Sequence, residues 1–320
     1  MRKAFFVTAG AIVSWGAVSA LSRVLLLRLD LDPWAFSFLQ LCAGGVALML
    51  IAGGKSPPLA SLGRPTTWIL GALRVLSAAL YTTVLGWLSV LEAGTIGAVS
   101  VPLAALCVWL ILGRRPARRE WFGHLIILGG ILTLFVHLDA PIQAPVAGLL
   151  GLNAVAIVTL SILAERHPDN LSDEPGVRLR FTGAVLLVTA LFFLTLRILS
   201  PGAPDAAWPE PTWDLQLIAI SAAVGIFLRA PSMVLSFWAI RLAGTQNYTA
   251  AIAFLPLTGM AFEEAAFAAG FLAVSRFEFA TLAIALCVGS GTLLVLAARA
   301  GWRWPPGVPE RRSAETQSGS

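Results

Sequence analysis

The chain has 320 residues, of which 58% are hydrophobic and only 12% charged. A soluble domain is roughly one-quarter charged, so this composition excludes that class and leaves length for about ten membrane crossings with short loops. The formal net charge of +5 is what basic loops on one side of a bilayer produce, and it does not require a nucleic-acid partner.

Met1-Arg2-Lys3, an apolar stretch and then Ala17-Val18-Ser19-Ala20 have the outline of a cleaved signal peptide. The apolar run continues to about Leu27, however, and it reads as a retained first helix. Further runs follow near 34–52, 67–90, 94–112, 121–138, 146–164, 180–199, 214–240, 246–268 and 279–298. Counting the first, near 4–27, they predict ten crossings, joined by breaker-rich links such as Asp30-Leu31-Asp32-Pro33. The expected fold is an all-α integral membrane protein of ten transmembrane helices. The tail 301–320 is polar, contains proline and reads as disordered and cytoplasmic.

Basic residues orient the chain. With the N-terminus inside, sixteen of the 22 fall on cytoplasmic ends and loops, among them Arg114, Arg115, Arg118 and Arg119 in one tight turn. Only Arg23, Arg28, Arg197 and Arg276 fall outside. Both termini are therefore expected in the cytoplasm, and the membrane is read as the inner membrane of a bacterial-type cell. Ten helices divide after the fifth into 1–140 and 141–300, and an odd number per half threads the second half in the opposite sense. Such inverted repeats are a common construction for secondary transporters, with the site near the midplane.

Two basic residues fall inside helices instead. Arg229 is about 17 Å from the nearer water, too deep to snorkel easily. An arginine there costs at least about 2.5–3.5 kcal/mol, so it should face a cavity or a partner. Pro231 follows two residues later and deprives the Phe227 carbonyl of its usual donor. A kink beside a deep cation suits a carboxylate or phosphate, while a structural arginine tied to backbone or to another helix is the alternative. Arg74 lies about 10 Å from the cytoplasmic end and reads equally as a snorkelling residue or part of an inner gate.

Glu263 and Glu264 are the acids placed within a helix. Adjacent residues point about 100° apart, so one faces the interior while its neighbour seeks the rim. They are candidates for proton coupling or for meeting a substrate amine, unless the helix ends early and both are solvated. Pro102 and Pro256, with Pro231, put three breaks at similar depth, as a hinged transporter needs. Polar side chains on nearby stretches, Gln40, Tyr81, Asn153, Asn247 and Tyr248 among them, are candidates for lining a cavity or for interhelical bonding. Trp15 is a candidate aromatic wall, or a simple packing residue.

Trp15-Gly16, Arg74, the run from Pro102 to Gly113 ending in a basic turn, Gly129-Gly130, Tyr248, Pro256 and Gly289 to Gly291 together resemble the drug/metabolite transporter superfamily, in its ten-helix EamA branch. The resemblance implies export or exchange of small organic metabolites by alternating access, often coupled to protons or another solute. It also favours a functional Arg74. The sequence departs from the family pattern at Phe38-Leu39-Gln40, where an arginine is usual, and at Gly113-Arg114-Arg115, where an acid usually intervenes.

The reading is therefore a secondary transporter of a small polar or zwitterionic solute, with no enzyme activity, cofactor or metal. No Walker loop or nucleophile elbow is present. The partners expected are the solute and the lipid bilayer, with a homodimer left open and no nucleic acid. The alternatives are a membrane enzyme acting on lipid-linked substrates, for which the acids Asp30, Asp32, Asp205, Glu210 and Asp214 are scattered rather than arrayed, and a non-transporting membrane partner.

Overall fold

Within a bilayer, helices satisfy their own backbone groups, so each long apolar run is under pressure to be helical. The computed structural model describes residues 2–53, 60–199, 213–275 and 278–300. Lys55, Asp205, Glu210, Arg276 and the expected tail with Arg303, Arg311 and Arg312 lie outside them.

Ten apolar helical segments run in chain order: α1 (Arg2–Leu29), α2 (Pro33–Ala52), α3 (Pro65–Val84), α4 (Val90–Leu112), α5 (Glu120–Val136), α6 (Ala140–Arg166), α7 (Pro175–Leu199), α8 (Leu215–Ala243), α9 (Thr245–Ala268) and α10 (Phe279–Arg299). Nine are long and apolar enough to span; α5, at 17 residues, is short of the ~20 that cover the hydrocarbon. No strand occurs among the described residues. The chain is an all-α, multi-pass membrane protein.

Short polar residues set the starts. Asp32 accepts from Ala35 N–H at 2.6 Å with Pro33 in the first turn of α2, and Asp214 accepts from Leu217 N–H at 2.6 Å to open α8. Ser89 and Glu92 form a reciprocal capping box at the head of α4. The sequence pattern ran the third helix on to residue 90 and began the fourth at 94. The capping box instead ends α3 at Val84 and starts α4 four residues sooner. At the far end of α4, Gly113 takes a left-handed conformation at φ 70° and frees the chain for the basic turn. Large apolar side chains such as Leu50, Leu110, Phe122 and Phe227 stay exposed, as lipid-facing residues must.

Three spans are interrupted. α4 breaks at Ala98–Val99, just before Pro102, and α9 breaks at Ala253–Phe254, just before Pro256. In α8 the ladder widens into a π-helical turn over Gly225–Arg229, ending immediately before Ala230 and Pro231. π turns inside α-helices concentrate at functional positions.

The helices pack in pairs that map onto one another when helix n is exchanged with helix n+5. α2 packs on α7, α4 on α9 and α5 on α10; α1–α8 has its counterpart in α3–α6, α1–α9 in α4–α6, and α2–α8 in α3–α7. Glycines make two of these crossings close. A Cβ on Gly183 would lie 2.8 Å from the Gly45 carbonyl, and one on Gly123 would lie 2.5 Å from that of Gly291.

Ion pairs tie helix ends together at one end of the bundle: Arg64 with Asp169, Arg114 with Glu165, Arg241 with Asp173 and Arg299 with Glu120. Glu165 also accepts from Thr245 N–H at 2.7 Å, joining the starts and ends of three helices. His167 is buried beside them and stacks on Phe181 at 4.3 Å.

Candidate functional site

Trp15 occupies the middle of α1, thirteen residues or ~20 Å along from Arg2. It packs against the main apolar core, and its indole N–H donates to Ser236 Oγ of α8 at 2.7 Å. Ser236 in turn donates to the Ser232 carbonyl at 2.8 Å, and the buried Tyr248 of α9 lies close to the same Ser236 hydroxyl. The indole is thus tied in orientation to α8.

Two guanidiniums converge on that ring. Arg229 Cζ lies 4.5 Å from its centroid and Arg74 Cζ 5.6 Å. Each is near the middle of its own helix: Arg229 is the fifteenth residue of the 29 in α8, and Arg74 the tenth of the 20 in α3. Arg74 is deeper than the sequence pattern suggested, ~14 Å in, because Pro65 starts α3 two residues before the apolar run. Neither arginine has an ion-pair or hydrogen-bond partner among the described residues, and Arg229 Nε is buried with none. The two like charges repel each other.

Magnitudes show that this arrangement is incomplete by itself. Each deep arginine costs at least about 2.5–3.5 kcal/mol, and a desolvated cation–π contact returns about 2 kcal/mol. One indole serves both cations, and their mutual repulsion adds to the deficit. An anion between or beside them would offset it.

The π turn helps to aim Arg229. Gly225 lies directly beneath α2, where a Cβ would fall 2.3 Å from the Gln40 carbonyl. Only glycine fits that crossing. The buried Gln40 side chain leaves its Oε1 without a hydrogen bond, a second unsatisfied polar group beside the π turn.

Two turns from Trp15 toward the α1 C-terminus, ~12 Å away, Arg23 pairs with Glu263 at 2.5 Å. Tyr81 is close enough to feel the Glu263 charge, and its hydroxyl donates to the Val90 carbonyl at 3.3 Å. Glu264 points elsewhere and accepts from Ser275 Oγ at 2.8 and 2.9 Å. α9 continues to Ala268, so both glutamates are helical rather than loop residues.

The remaining candidates lie apart from the indole. Asn153 accepts from Ser77 at 2.6 Å, a bond between α6 and α3. Asn247 donates to the Ala243 carbonyl at 2.8 Å and accepts from Arg299 at 3.4 Å, which puts it with the Arg299–Glu120 pair. The structure thus brings Trp15, Arg74, Arg229 and Tyr248 together, adds Gln40 beside the π turn, and separates Asn153, Asn247 and Glu264. Two participants escaped the sequence reading. Ser236 shares a helix face with Arg229 and Ser232 at i, i+3 and i+7, a legible spacing. Arg23 was counted only as a charge for orientation. Among the described residues, no three His, Cys, Asp or Glu side chains gather as metal ligands.

Comparison with known proteins agrees with this architecture. Residues 2–136 match the model of the EamA-like transporter family. That match spans the first five helices and is consistent with the drug/metabolite transporter superfamily. One solved crystal structure, 20% identical, aligns over 93% of this chain and 99% of its own with a TM-score of 0.60, a likeness of fold. No curated protein matches the sequence.

Proposed function

We propose that the protein is a secondary transporter that exports a small polar or zwitterionic organic metabolite by alternating access, with Arg229 holding the solute's anionic group. The observation that carries this reading is the pair of unpartnered guanidiniums on the Trp15 ring, midway along three helices. Helices α1–α5 and α6–α10 act as inverted halves, 1–140 and 141–300, of a ten-helix transporter. The n to n+5 correspondence of packing pairs supports this division. Both termini face the cytoplasm across an inner membrane, in keeping with the excess of arginines at the end that carries the Arg114–Glu165 and Arg299–Glu120 pairs.

The breaks beside Pro102 and Pro256 and the π turn before Pro231 are the hinges about which the halves rock. Glu263 supplies coupling: protonating its carboxylate removes the charge that holds Arg23 and loosens α1 from α9 at that end. Glu264 is the alternative proton carrier, with its charge resting on Ser275 instead.

Uptake and efflux of a panel of metabolites in sealed proteoliposomes tests the proposal. At least one solute should be moved by the wild type, and Arg229→Ala should reduce its transport by about tenfold or more. Wild-type rates in Arg229→Ala would overturn the assignment of this site.

A further inference from the structure

The Trp15 centre has two fixed positive charges and, among the described residues, no negative one in contact with either. A zwitterion or a monoanion brings a single negative group and leaves the second guanidinium unmatched in a desolvated place. Glu263, whose partner Arg23 lies two helical turns along α1 from Trp15, is already held at 2.5 Å, so it is not free to meet a substrate amine. Both guanidinium carbons lie within 4.5 and 5.6 Å of one ring centroid, so they are no more than about 10 Å apart, within reach of one small molecule.

We propose that the solute is a small organic dianion, engaged by Arg74 and Arg229 together and resting against the Trp15 indole. This rests on the transporter reading above and names the class of solute for that same site. Guanidinium suits the role better than ammonium because its planar fork donates in pairs to carboxylate or phosphoryl oxygens. The hydroxyl of Tyr248, beside Ser236 and within the field of Arg74, is the neutral group placed to meet an uncharged part of the solute. The dianion comes as a dicarboxylate, with one carboxylate on each arginine, or as a phosphate monoester whose oxygens are shared between them.

The test uses the full chain, purified in detergent and then reconstituted. Thermal stabilisation is measured at neutral pH with succinate, glycerol phosphate, the monoanion butyrate, and alanine as a zwitterion. One or both dianions should bind at least about tenfold more tightly than butyrate and alanine. The preference should fall by about tenfold in Arg74→Gln and in Arg229→Gln alike. Succinate alone would identify the dicarboxylate, and glycerol phosphate alone the phosphate ester. Arg74→Lys guards against a folding defect: with its charge kept, it should retain part of the preference that Arg74→Gln loses. In the absence of solute, Arg74→Gln should melt above wild type, because a buried like-charge repulsion is removed.

Alanine or butyrate binding as tightly as the dianions, with sensitivity to Arg229→Gln but not to Arg74→Gln, would overturn the dianion and leave the transporter reading intact. Dianion binding in detergent without any flux in proteoliposomes would do the reverse. The absence of binding by all four probes would overturn the dianion.

Discussion

At the scale of single residues, His167 shows what burial does to a titrating side chain. Its Nδ1 accepts from Asp169 N–H at 3.2 Å, so the ring carries its proton on Nε2, 3.3 Å from the Thr67 hydroxyl. The Thr67 hydroxyl donates in turn to the Ser61 carbonyl at 2.7 Å. A second proton on Nδ1 would set one N–H against another. Burial, and secondarily the Arg64 charge, against the opposing pull of Asp169, push the imidazole down to about 4. Between that value and the ordinary 6.5, the unfolded chain binds the proton and the folded chain does not. Stability is therefore complete above about pH 6.5 and declines as pH falls toward 4, by up to roughly 3 kcal/mol. A melting series from pH 7.5 to 4.5 should show a shallower decline in His167→Gln than in wild type; parallel curves would remove His167 from the account. This network is not legible in the sequence, where His167 stands between two apolar runs with nothing beside it to mark it as buried. Its burial depends on Thr67, far away along the chain, and on Phe181 in the helix that follows. Arg229 was legible because a charge in a long apolar run is costly wherever the helix packs. Its partner Arg74 was half legible, and the indole that joins them emerged only from the crossing of α1, α3 and α8.

Among elements, the close crossings of α2 with α7 and of α5 with α10 bring these helices nearer than side chains with a Cβ would allow. Without water to expel between helices, packing depends on van der Waals contact, and glycine brings backbones near enough for it. At Gly291 a Cβ would fall 2.8 Å from the Gly123 carbonyl, with Ile126 and Ile127 at 3.0 Å. Gly291→Val should lower stability by about 1–3 kcal/mol, seen as a reduced melting temperature in detergent. Gly129→Val on the same pair of helices, where nothing lies within 4 Å, should leave it nearly unchanged. Equal effects at the two positions would show that helix propensity, not the crossing, is responsible. Helix existence and order were legible from apolar runs alone. The ends were less so: Ser89 with Glu92 is a capping signature in plain view, yet Leu85 to Leu88 are apolar enough to disguise the turn before it. The π turn in α8 was invisible, because its cause is the α2 crossing at Gln40 and not any local residue preference.

For the molecule as a whole, the proposed alternating access requires that each end open without dismantling the other. The Glu165 carboxylate, bonded to both Arg114 and the Thr245 amide, fastens α4, α6 and α9 at one end. Arg23 with Glu263 fastens α1 to α9 at the other. Arg114 is 61% exposed, so its pair contributes about 0.2–1 kcal/mol at most, an amount that ordinary solute binding can overcome. In a variant whose Cys42 and Cys287 are replaced by serine, Glu165→Ala should raise the rate at which a maleimide labels Cys107 by about two- to fivefold. An unchanged rate would mean that Glu165 does not hold this end shut. The proposed division into two halves draws, in the sequence, on the odd number of helices in each. Which helices pack on which was not legible, because it depends on which apolar faces meet.

The widened turn at Gly225–Arg229 makes α8 tolerant of length in an unusual way. It contains one residue more than a regular helix of the same rise would hold. Deleting Ile226, Phe227 or Leu228 would relax it into a regular α-helical turn without shortening either adjoining loop. The two portions of α8 would keep nearly the same angle and rise, with Gly225 still under Gln40 and Arg229 still on the indole. Elsewhere in α8 the same loss would turn one portion against the other by about 100°. This helix has a single place where a residue can go missing unnoticed.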